Sequence, residues 1–323
     1  MTKLLITGPL GHIGSRVIHS LKPGDYTEVV LVDNLVTQRY CSLFNLPQGV
    51  PFRFVNADVC TANLEELFGG MDIVLHLAAI TDAASSFDNP EQVELVNYEG
   101  VRRAAEACAA AGSRLIFLST TSVYGTQGAV VDENCPPEDL NPQSPYATAK
   151  LRAEQLLVEL GQTRGLRFVT CRFGTIFGTS IGMRFHTAIN KFVWQACVGQ
   201  PITVWRTALH QKRPYLDLDD AVRALDFIIR TDLFDGQTYN VLTDNSTVGE
   251  IVDVIREHIP DTQIVYVDSP IMNQLSYNVS NEKFRRLGFR FQGSIARGVA
   301  DTVRLLRGVT QAQPQVALDG TGG

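Results

Sequence analysis

A tyrosine and a lysine four positions apart, in the segment SPYATAK (residues 144–150), have side chains suited to acid–base chemistry. The following pattern, LRAEQLLVEL, has helical periodicity, so Tyr146 and Lys150 lie on one face of a predicted helix, about one turn apart. A free tyrosine titrates near ~10, too high for a base at neutral pH, but a neighbouring ammonium group stabilises the phenolate. Tyr146 could therefore accept a proton from a substrate hydroxyl.

Three glycines lie three positions apart in GPLGHIG, between the apolar run KLLIT and a segment with helical periodicity. Glycine suits a point where the chain turns tightly and where its backbone approaches a pyrophosphate. The spacing differs from the commoner GxGxxG pattern, and an ordinary strand-to-helix turn also accounts for it. However, the next apolar run, EVVLVDN, ends in Asp33, whose carboxylate can bind both hydroxyls of an adenosine ribose. Gly8, Gly11, Gly14 and Asp33 together predict a dinucleotide site.

The carboxylate of Asp33 also indicates which dinucleotide binds. A negative charge at this position repels the 2′-phosphate of NADP, so NAD is the predicted cofactor. The cationic nicotinamide of NAD would further stabilise the Tyr146 phenolate. Tyr146 could then take the proton of a substrate hydroxyl while hydride leaves the same carbon.

These residues lie where apolar runs of strand length meet segments with helical periodicity. The runs are rich in consecutive valine, isoleucine and leucine, as in KLLITG, EVVLVDN, DIVLHLAA and RLIFLST. Such strands are buried on both faces, which is typical of a parallel sheet covered by helices. The sequence predicts an α/β fold with a Rossmann-type doubly wound parallel sheet, whose ligands bind at the carboxyl ends of the strands.

The elements become longer and less regularly spaced after about residue 173, which predicts a smaller C-terminal α/β lobe that binds substrate. We predict an NAD-binding domain over residues 1–172, which also includes residues from about 213 to 242, and a discontinuous substrate-binding lobe over 173–310. A helix is predicted around MRFHTAINKFVWQACVG, within this lobe. Residues 311–323 carry little that could pack and are predicted to be a flexible tail.

The composition is that of a globular protein, since 45% of the 323 residues are hydrophobic and 19% are charged, with both signs interspersed. The net charge of -6 and the lack of lysine or arginine runs indicate no binding of nucleic acid or of an anionic membrane. The N-terminal apolar run meets Gly8 and Pro9 too early for a signal peptide or a membrane span, so a cytoplasmic location is predicted. The six cysteines have no CxxC pairing or nearby histidine cluster, which predicts buried reduced thiols and no metal site.

Seven segments, in their order and spacing, resemble the extended short-chain dehydrogenase/reductase family, and within it the NAD-dependent nucleotide-sugar epimerases and dehydratases. The resemblance covers nearly the whole chain, because the segments are GPLGHIG, VDN, NADV, LHLAA, STTSVYG, SPYATAK and RFGTIFG. It implies that Tyr146 is the base and later the acid, with Thr120 as its hydroxyl partner. It also implies that Lys150 holds both the nicotinamide ribose and the charge of the tyrosine.

The same resemblance implies the residues that contact NAD. Asp58 and Val59 are expected at the adenine, and Asn97, on a long helix, is expected to support the site. A helix cap for Asp58 and a structural polar residue for Asn97 are the alternatives. The predicted cofactor-binding set is Gly8, Leu10, Gly11, His12, Ile13, Gly14, Asp33, Asn34, Asp58, Val59, Leu77, Ala78, Ala79, Asn97, Tyr146, Lys150 and Phe173.

The substrate that the resemblance implies is a nucleoside diphosphate sugar. Relatives have an arginine followed by an acid and an aromatic residue before a helix, whereas QKRPYLDLDDAV has Arg213 followed by Pro214. The planar guanidinium of Arg213 still suits a diphosphate. Relatives also have an asparagine that contacts the sugar or its phosphate at the position of Thr175, so the sugar contacts here are expected to differ.

Other polar residues are weaker candidates for substrate binding. Lys191 could contact a phosphate, and His186 or His210 could act as a general acid, although such side chains are more often solvated or structural. The predicted substrate-binding set is Thr81, Ser86, Thr121, Thr175, Arg184 and Arg213.

The hydroxyl-rich segment STTSVYG bears on the reaction that follows oxidation of the sugar at C4. In the 4,6-dehydratases, elimination uses an aspartate and a glutamate directly after the catalytic threonine, where this chain has Thr121 and Ser122. A hydroxyl cannot replace those acids without strong activation, and Ser122 also counts against a decarboxylase. An epimerase needs neither acid, because the same hydride returns to the other face of the sugar. The sequence therefore predicts a nucleotide-sugar epimerase and disfavours a dehydratase.

Two other functions stay open on the sequence alone. A nucleotide-sugar 4-dehydrogenase or reductase with an exchangeable cofactor is compatible with the two departures in the substrate lobe. A catalytically idle NAD-binding scaffold is opposed by the intact set of Thr120, Tyr146 and Lys150. Relatives commonly dimerise through two long helices, and residues 90–112 and 146–165 are long enough for this, which implies a homodimer.

Overall fold

The computed structural model describes residues 2–125, 130–267 and 277–309, so the predicted tail over residues 311–323 lies outside the described residues. The strands are β1 (Thr2–Thr7), β2 (Tyr26–Asp33), β3 (Phe52–Asn56), β4 (Ile73–His76), β5 (Arg114–Thr120), β6 (Val130–Val131), β7 (Phe168–Phe173), β8 (Thr175–Phe177), β9 (Ile202–Trp205), β10 (Lys212–Asp217), β11 (Thr238–Val241), β12 (Asp244–Thr247), β13 (Ile264–Val267) and β14 (Asn278–Val279). The helices are α1 (His12–Ser20), α2 (Leu64–Phe68), α3 (Pro90–Glu94), α4 (Gly100–Ala111), α5 (Pro145–Arg164), α6 (Ala188–Cys197), α7 (Leu218–Arg230), α8 (Val248–His258), α9 (Glu282–Arg286) and α10 (Ile295–Leu306).

The central element is a seven-stranded sheet in the order β11-β7-β5-β4-β1-β2-β3, in which every neighbouring pair is parallel. Strands β4 and β7 are buried along their whole length, as their continuous apolar runs predict. One hydrophobic cluster packs α1 and α7 on one face of the sheet, and a second packs α4 and α5 on the other. The predicted doubly wound α/β fold is confirmed.

The strand order reverses between β1 and β4. From β1 the chain builds β2 and β3 on one side, and then returns to place β4, β5 and β7 on the other. The helices that follow β1 and β4 diverge at this point, so a crevice forms at the carboxyl ends of the two strands. Ligands of doubly wound sheets bind in such crevices.

A second, smaller set of layers follows β7. It contains a three-stranded sheet, β12-β10-β8, and the pair β13-β9, packed with α6, α8 and α10 in a separate hydrophobic cluster. Residues 218–241 return to the large sheet, because α7 packs on α1 and β11 pairs with β7. The boundaries given for the two lobes stay a prediction. The helix expected around residues 183–199 is shorter and begins only at Ala188.

The described residues also bear on the expectations for membrane spans, metal ligands and cysteines. Within the three described stretches, no helix is both long and apolar enough to cross a membrane. The same stretches contain no cluster of three or more histidine, cysteine or acidic residues placed to hold a metal ion. All six cysteines are free; Cys108 and Cys171 are buried, but Cys41 is exposed, so the expectation of burial was wrong for Cys41.

Candidate active site

The carboxyl ends of the central strands open into one cavity of about 1150 Å³, whose opposite wall is formed by the smaller lobe. Most of the residues predicted from the sequence to bind cofactor or substrate, or to act in catalysis, line this cavity. They are Gly8, Gly11, His12, Ile13, Gly14, Asp33, Asn34, Asp58, Val59, Leu77, Ala78, Ala79, Thr81, Thr120, Thr121, Tyr146, Lys150, Phe173, Thr175, Arg184 and Arg213.

The glycine-rich turn between β1 and α1 is shaped by close backbone contacts. Gly8 has a φ of +66°, and a Cβ atom there would lie 2.7 Å from the backbone nitrogen of Ala78. A Cβ atom on Gly14 would lie 2.6 Å from the carbonyl oxygen of Gly8. At Gly11, in contrast, a Cβ atom would come no closer than 3.4 Å to another group, and this residue borders the cavity. The first N–H groups of α1 have no acceptor within the helix, so the open surface at Gly11 fits a pyrophosphate.

The end of β2 supplies carboxylate and amide groups to the same side of the cavity. Asp33 accepts hydrogen bonds from the backbone N–H of Leu35 at 2.9 Å and of Leu10 at 3.4 Å, which ties β2 to the glycine-rich turn. Asn34 donates a hydrogen bond to the carboxylate of Asp58 at 2.9 Å. Burial acts to raise the pKa of Asp58, but hydrogen bonds from Asn34 and Cys60 hold it below its usual value. These groups fit the adenosine half of NAD.

Asp58 does not cap helix α2, which was the alternative role considered for it. The side chain that caps α2 is that of Asn63, which accepts a hydrogen bond from the backbone N–H of Glu66 at 3.4 Å. Asp58 instead accepts a hydrogen bond from the N–H of Cys60 at 2.8 Å and faces the cavity.

Three residues of the predicted set do not line the cavity. Leu10 is buried beneath the glycine-rich turn. Asn97 lies in the π-helical stretch Leu95–Glu99, fully buried, and its amide binds both the N–H and the carbonyl of Ile80 at 2.8 Å. Asn97 therefore fixes the loop after β4, as support for the site, without reaching the cavity. Ser86 is also fully buried and does not line the cavity, and its hydroxyl donates to the carbonyl of Ala83 at 2.6 Å.

The start of α5 positions the predicted base. Ser144 caps the helix by accepting a hydrogen bond from the N–H of Ala147 at 3.2 Å, and Pro145 occupies the first turn, where its missing N–H costs nothing. Tyr146 thus projects from the first turn of α5 into the cavity, and Lys150 follows one turn later. The ammonium of Lys150 donates a hydrogen bond to the carbonyl of Leu118 at 2.8 Å.

The two pKa values of this pair are shifted in opposite directions. Burial raises the pKa of Tyr146 to about 12, while a hydrogen bond with the side chain of Thr120 acts to lower it. Burial lowers the pKa of Lys150 to about 7, while the carboxylate of Glu154 acts to raise it. The surrounding side chains therefore do not make Tyr146 a base at neutral pH. An additional positive charge beside the phenol, such as an oxidised nicotinamide, is needed for this.

The hydroxyl-rich segment forms a tight turn at the end of β5. Thr120 begins a 3₁₀ turn, Thr121–Tyr124, by accepting a hydrogen bond from the N–H of Ser122 at 3.1 Å. The hydroxyl of Thr121 donates to the carbonyl of Phe173, at the end of β7, at 3.3 Å. Thr120, Thr121 and Ser122 all line the cavity, so this rim presents hydroxyls and no carboxylate.

The opposite wall carries the cationic side chains predicted for substrate binding. Arg184 donates a hydrogen bond to the hydroxyl of Thr81 at 3.1 Å, which joins the smaller lobe to the loop after β4. The guanidinium of Arg213, on β10, lies 5.2 Å from the ring centroid of Tyr277. Lys191 and His186 also line the cavity, whereas His210 is exposed and lies elsewhere. The cations and the exposed hydroxyl of Thr175 fit a phosphorylated sugar.

Arg39 and His76 are among the cavity residues that the sequence did not predict. Arg39 donates a hydrogen bond to the carbonyl of Gly182 at 2.7 Å, and its position six residues after Asp33 carries no pattern that marks it as part of the site. His76 ends β4, and its Nδ1 lies 2.9 Å from the hydroxyl of Thr7. Its place directly before Leu77, which was predicted to line the cleft, was a usable signal.

Residues 4–241 match the family model of the NAD dependent epimerase/dehydratase family, which is more than half of the chain. The chain belongs to the NAD dependent epimerase/dehydratase family. The resemblance predicted from seven sequence segments is therefore confirmed, and so is the prediction of NAD as the cofactor.

Members of the NAD dependent epimerase/dehydratase family with different reactions are similar to this chain. An uncharacterised UDP-glucose epimerase of Bacillus subtilis is 30% identical over 265 residues, which are 79% of this chain and 81% of that protein. A trifunctional enzyme of Arabidopsis thaliana, named for UDP-glucose 4,6-dehydratase, 3,5-epimerase and reductase activities, is 29% identical over 93% of this chain, which spans 46% of its length. The crystal structure of Thermus thermophilus UDP-glucose 4-epimerase in complex with NAD superposes with a TM-score of 0.80, at 27% identity, over 95% of this chain and 99% of that chain.

Proposed function

We propose that this chain is a nucleotide-sugar epimerase, which oxidises the sugar at C4 with bound NAD and reduces it again from the other face. The observation that carries the proposal is the meeting of Thr120, Tyr146 and Lys150 at a cavity rim that has hydroxyls at Thr121 and Ser122. The first three residues supply a proton shuttle. The last two lack the acid groups that would divert the keto sugar to another product.

The residues have separate tasks in this reaction. NAD, when bound, accepts a hydride from C4 of the sugar and later returns it. Tyr146 takes the proton from the hydroxyl at C4 and gives it back to the same oxygen after the keto sugar has turned. The side chain of Thr120 favours the ionised phenol as its hydrogen-bonding partner, and Lys150 supplies a positive charge one helical turn away.

In this proposal, NAD and the sugar nucleotide bind in opposite parts of one cavity. Gly11 and Asp33 are placed for the pyrophosphate and the adenosine ribose, and Asp33 favours NAD over NADP. Arg184 and Arg213 are placed for the diphosphate or an acidic group of the sugar. This supports a nucleoside diphosphate sugar as the substrate class.

The reaction is tested with the purified full chain and a panel of UDP-, dTDP- and GDP-linked sugars, including UDP-glucose and UDP-glucuronic acid. Nucleotide is first released by heat from one sample to measure how much NAD the protein retains. Stoichiometric NAD and a product of unchanged mass support epimerisation. A product lighter by one water would show that the enzyme is a dehydratase. Net formation of NADH from added NAD would show that it is a 4-dehydrogenase.

We also propose that the protein is a homodimer, assembled through α5 and the helical stretch from α3 to α4. Two apolar side chains on these elements are exposed, Leu95 at 44% and Val158 at 45% of their surface. Light scattering on the purified chain measures the mass directly. A monomer mass at micromolar concentration would contradict this assembly.

A further inference from the structure

Three consecutive residues at the end of β5 each interact with a residue in the first three turns of α5. The carbonyl of Leu118 accepts the hydrogen bond from Lys150, and the hydroxyl of Ser119 donates to the carboxylate of Glu154. The side chain of Thr120 acts to lower the pKa of Tyr146. Tyr146, Lys150 and Glu154 are four residues apart, so they form one row along a face of the helix. The row begins at the cavity and ends, at Glu154, in the protein interior.

Glu154 forms a buried ion pair with Arg172 of β7. Their side chains are 7% and 6% exposed, and the guanidinium donates to both carboxylate oxygens at distances between 2.6 and 3.2 Å. The hydroxyl of Ser119 donates to the same carboxylate. Buried charges require such partners, because an unpaired one loses its hydration without compensation.

Lys150 has few groups that can stabilise its charge. Strand β5 offers the carbonyl of Leu118 and the ring of Phe117, whose centroid lies 4.8 Å from the ammonium. Strand β4 places His76 near Lys150. The positive charge of Lys150 lowers the pKa of His76, so this ring adds no favourable charge. On α5, Tyr146 precedes Lys150 and Glu154 follows it. Burial lowers the pKa of Lys150 to about 7, and the carboxylate of Glu154 is the group that opposes this shift.

We propose that Glu154 is a positioning residue for the proton shuttle, whose buried carboxylate keeps Lys150 protonated, and that Arg172 limits this effect by sharing the negative charge. The inference rests on the proposed function for its role in turnover. The effect on Lys150 itself needs no substrate, because it depends on three charges fixed between α5 and β7.

The two partners of the ion pair should shift the titration of Lys150 in opposite directions. Glu154→Gln removes the negative charge and leaves Arg172, so Lys150 loses its proton at a pH lower by about one unit. Arg172→Met leaves the carboxylate alone beside Lys150, so the ammonium persists to a pH higher by about one unit. A pair that only holds α5 on β7 would give two damaged proteins without opposite shifts.

The test is competitive trace acetylation of the full chain with acetic anhydride between pH 5 and 10, read by mass spectrometry of the peptide that contains Lys150. Only the neutral amine reacts, and Lys150 borders the cavity, so the pH midpoint of labelling reports its protonation. Opposite shifts in Glu154→Gln and Arg172→Met support the inference. An unchanged midpoint in Glu154→Gln overturns it, whether or not a sugar is epimerised.

Two further variants cover the case in which a single charge removal prevents folding. Glu154→Gln combined with Arg172→Met leaves neither member of the ion pair without its partner, and its midpoint should return towards that of the wild type. Glu154→Asp keeps the charge and should move the midpoint less than Glu154→Gln. Where a substrate has been found, the alkaline limb of the pH profile of kcat should shift with the labelling midpoint. If the alkaline limb of the kcat profile stays fixed while the labelling midpoint moves, the protonation of Lys150 does not control turnover, and the role of Glu154 in the proton shuttle is overturned.

Discussion

The Nε2 atom of His12, in the glycine-rich turn, lies 2.8 Å from the carbonyl oxygen of Gly178, in the smaller lobe. Burial lowers the pKa of His12 to about 4, so the ring is neutral near pH 7 and donates this hydrogen bond through its N–H. The contact joins residues far apart in sequence at the place where the pyrophosphate of NAD is expected. The smaller lobe therefore contacts the glycine-rich turn and also forms the opposite wall of the cavity.

Further hydrogen bonds extend this contact into a clasp, formed by residues 178–182 with His12, Ser15 and Arg39. The hydroxyl of Ser15 donates to that of Ser180 at 3.0 Å and accepts from the N–H of Gly182 at 3.0 Å. Arg39 donates to the carbonyl of Gly182 at 2.7 Å. Because the clasp spans the glycine-rich turn, it is expected to slow the release of NAD.

Gly182→Ala tests the clasp. The new Cβ atom would lie 2.2 Å from the carbonyl oxygen of Leu10, so residues 178–182 must move away from the glycine-rich turn. Overpacking costs about 1–3 kcal/mol, so NAD should dissociate about 5- to 150-fold faster than from the wild type. The measurement is the NAD that remains after timed gel filtration. Ile181→Ala removes an exposed neighbouring side chain and should retain NAD, and equal retention in Gly182→Ala would exclude the clasp as the cause.

Tyr146→Phe tests the proton shuttle. The substitution removes one hydroxyl and keeps the ring, so NAD should stay bound while turnover falls by about 10²- to 10⁴-fold. Epimerisation is followed by chromatography of the sugar nucleotides, and retained NAD by heat release. Tyr40→Phe, on an exposed tyrosine that does not line the cavity, is the matched control. Near-normal turnover in Tyr146→Phe would show that another group moves the proton.

Asp33→Asn tests the choice between NAD and NADP. The substitution removes the charge that repels a 2′-phosphate, and Arg39, which interacts with Asp33, is then available to a phosphate. The preference for NAD should fall by about tenfold, which corresponds to ~1.4 kcal/mol. Binding of both dinucleotides to nucleotide-free protein is measured by calorimetry, with Asp253→Asn on the exposed face of α8 as control. An unchanged ratio of the two affinities would remove Asp33 as the selective group.

The parts of the site that follow from local sequence patterns could be predicted. The turn around Gly8 and Gly14 follows from the contacts that glycine alone permits, and the start of α5 follows from Ser144 and Pro145 as cap and first-turn residue. The parallel sheet follows from continuous apolar runs, which identify strands without showing their partners. In each case the information lies within a few residues.

The parts that could not be predicted depend on contacts between distant segments. The pairing of Arg39 with Gly182 and of Glu154 with Arg172 is set by how α5, β7 and the smaller lobe pack, which no local pattern reports. The burial of Ser86 could not be predicted for a related reason, because no local pattern shows that its hydroxyl donates to the carbonyl of Ala83.

His76 predicts how the stability of the protein changes with pH. Burial lowers its pKa in the folded chain to about 3, with a further contribution from the charge of Lys150, whereas an unfolded histidine titrates near ~6.5. Between these two values the unfolded chain binds a proton at His76 and the folded chain does not. The free energy of unfolding therefore falls as the pH drops below ~6.5, by up to about 1.4 kcal/mol per pH unit from this residue.

His76→Gln removes this titration, so the variant should lose less stability on acidification than the wild type. Between pH 7 and pH 5 the difference should be about 2 kcal/mol, measured by urea unfolding with both proteins saturated with NAD. The other histidines are present in both proteins, so their contributions cancel in the comparison. His210→Gln, at an exposed position, should follow the wild type. If His76→Gln and the wild type lose the same unfolding free energy on acidification, His76 is protonated in the folded protein. Burial would then not exclude the charged form of its ring.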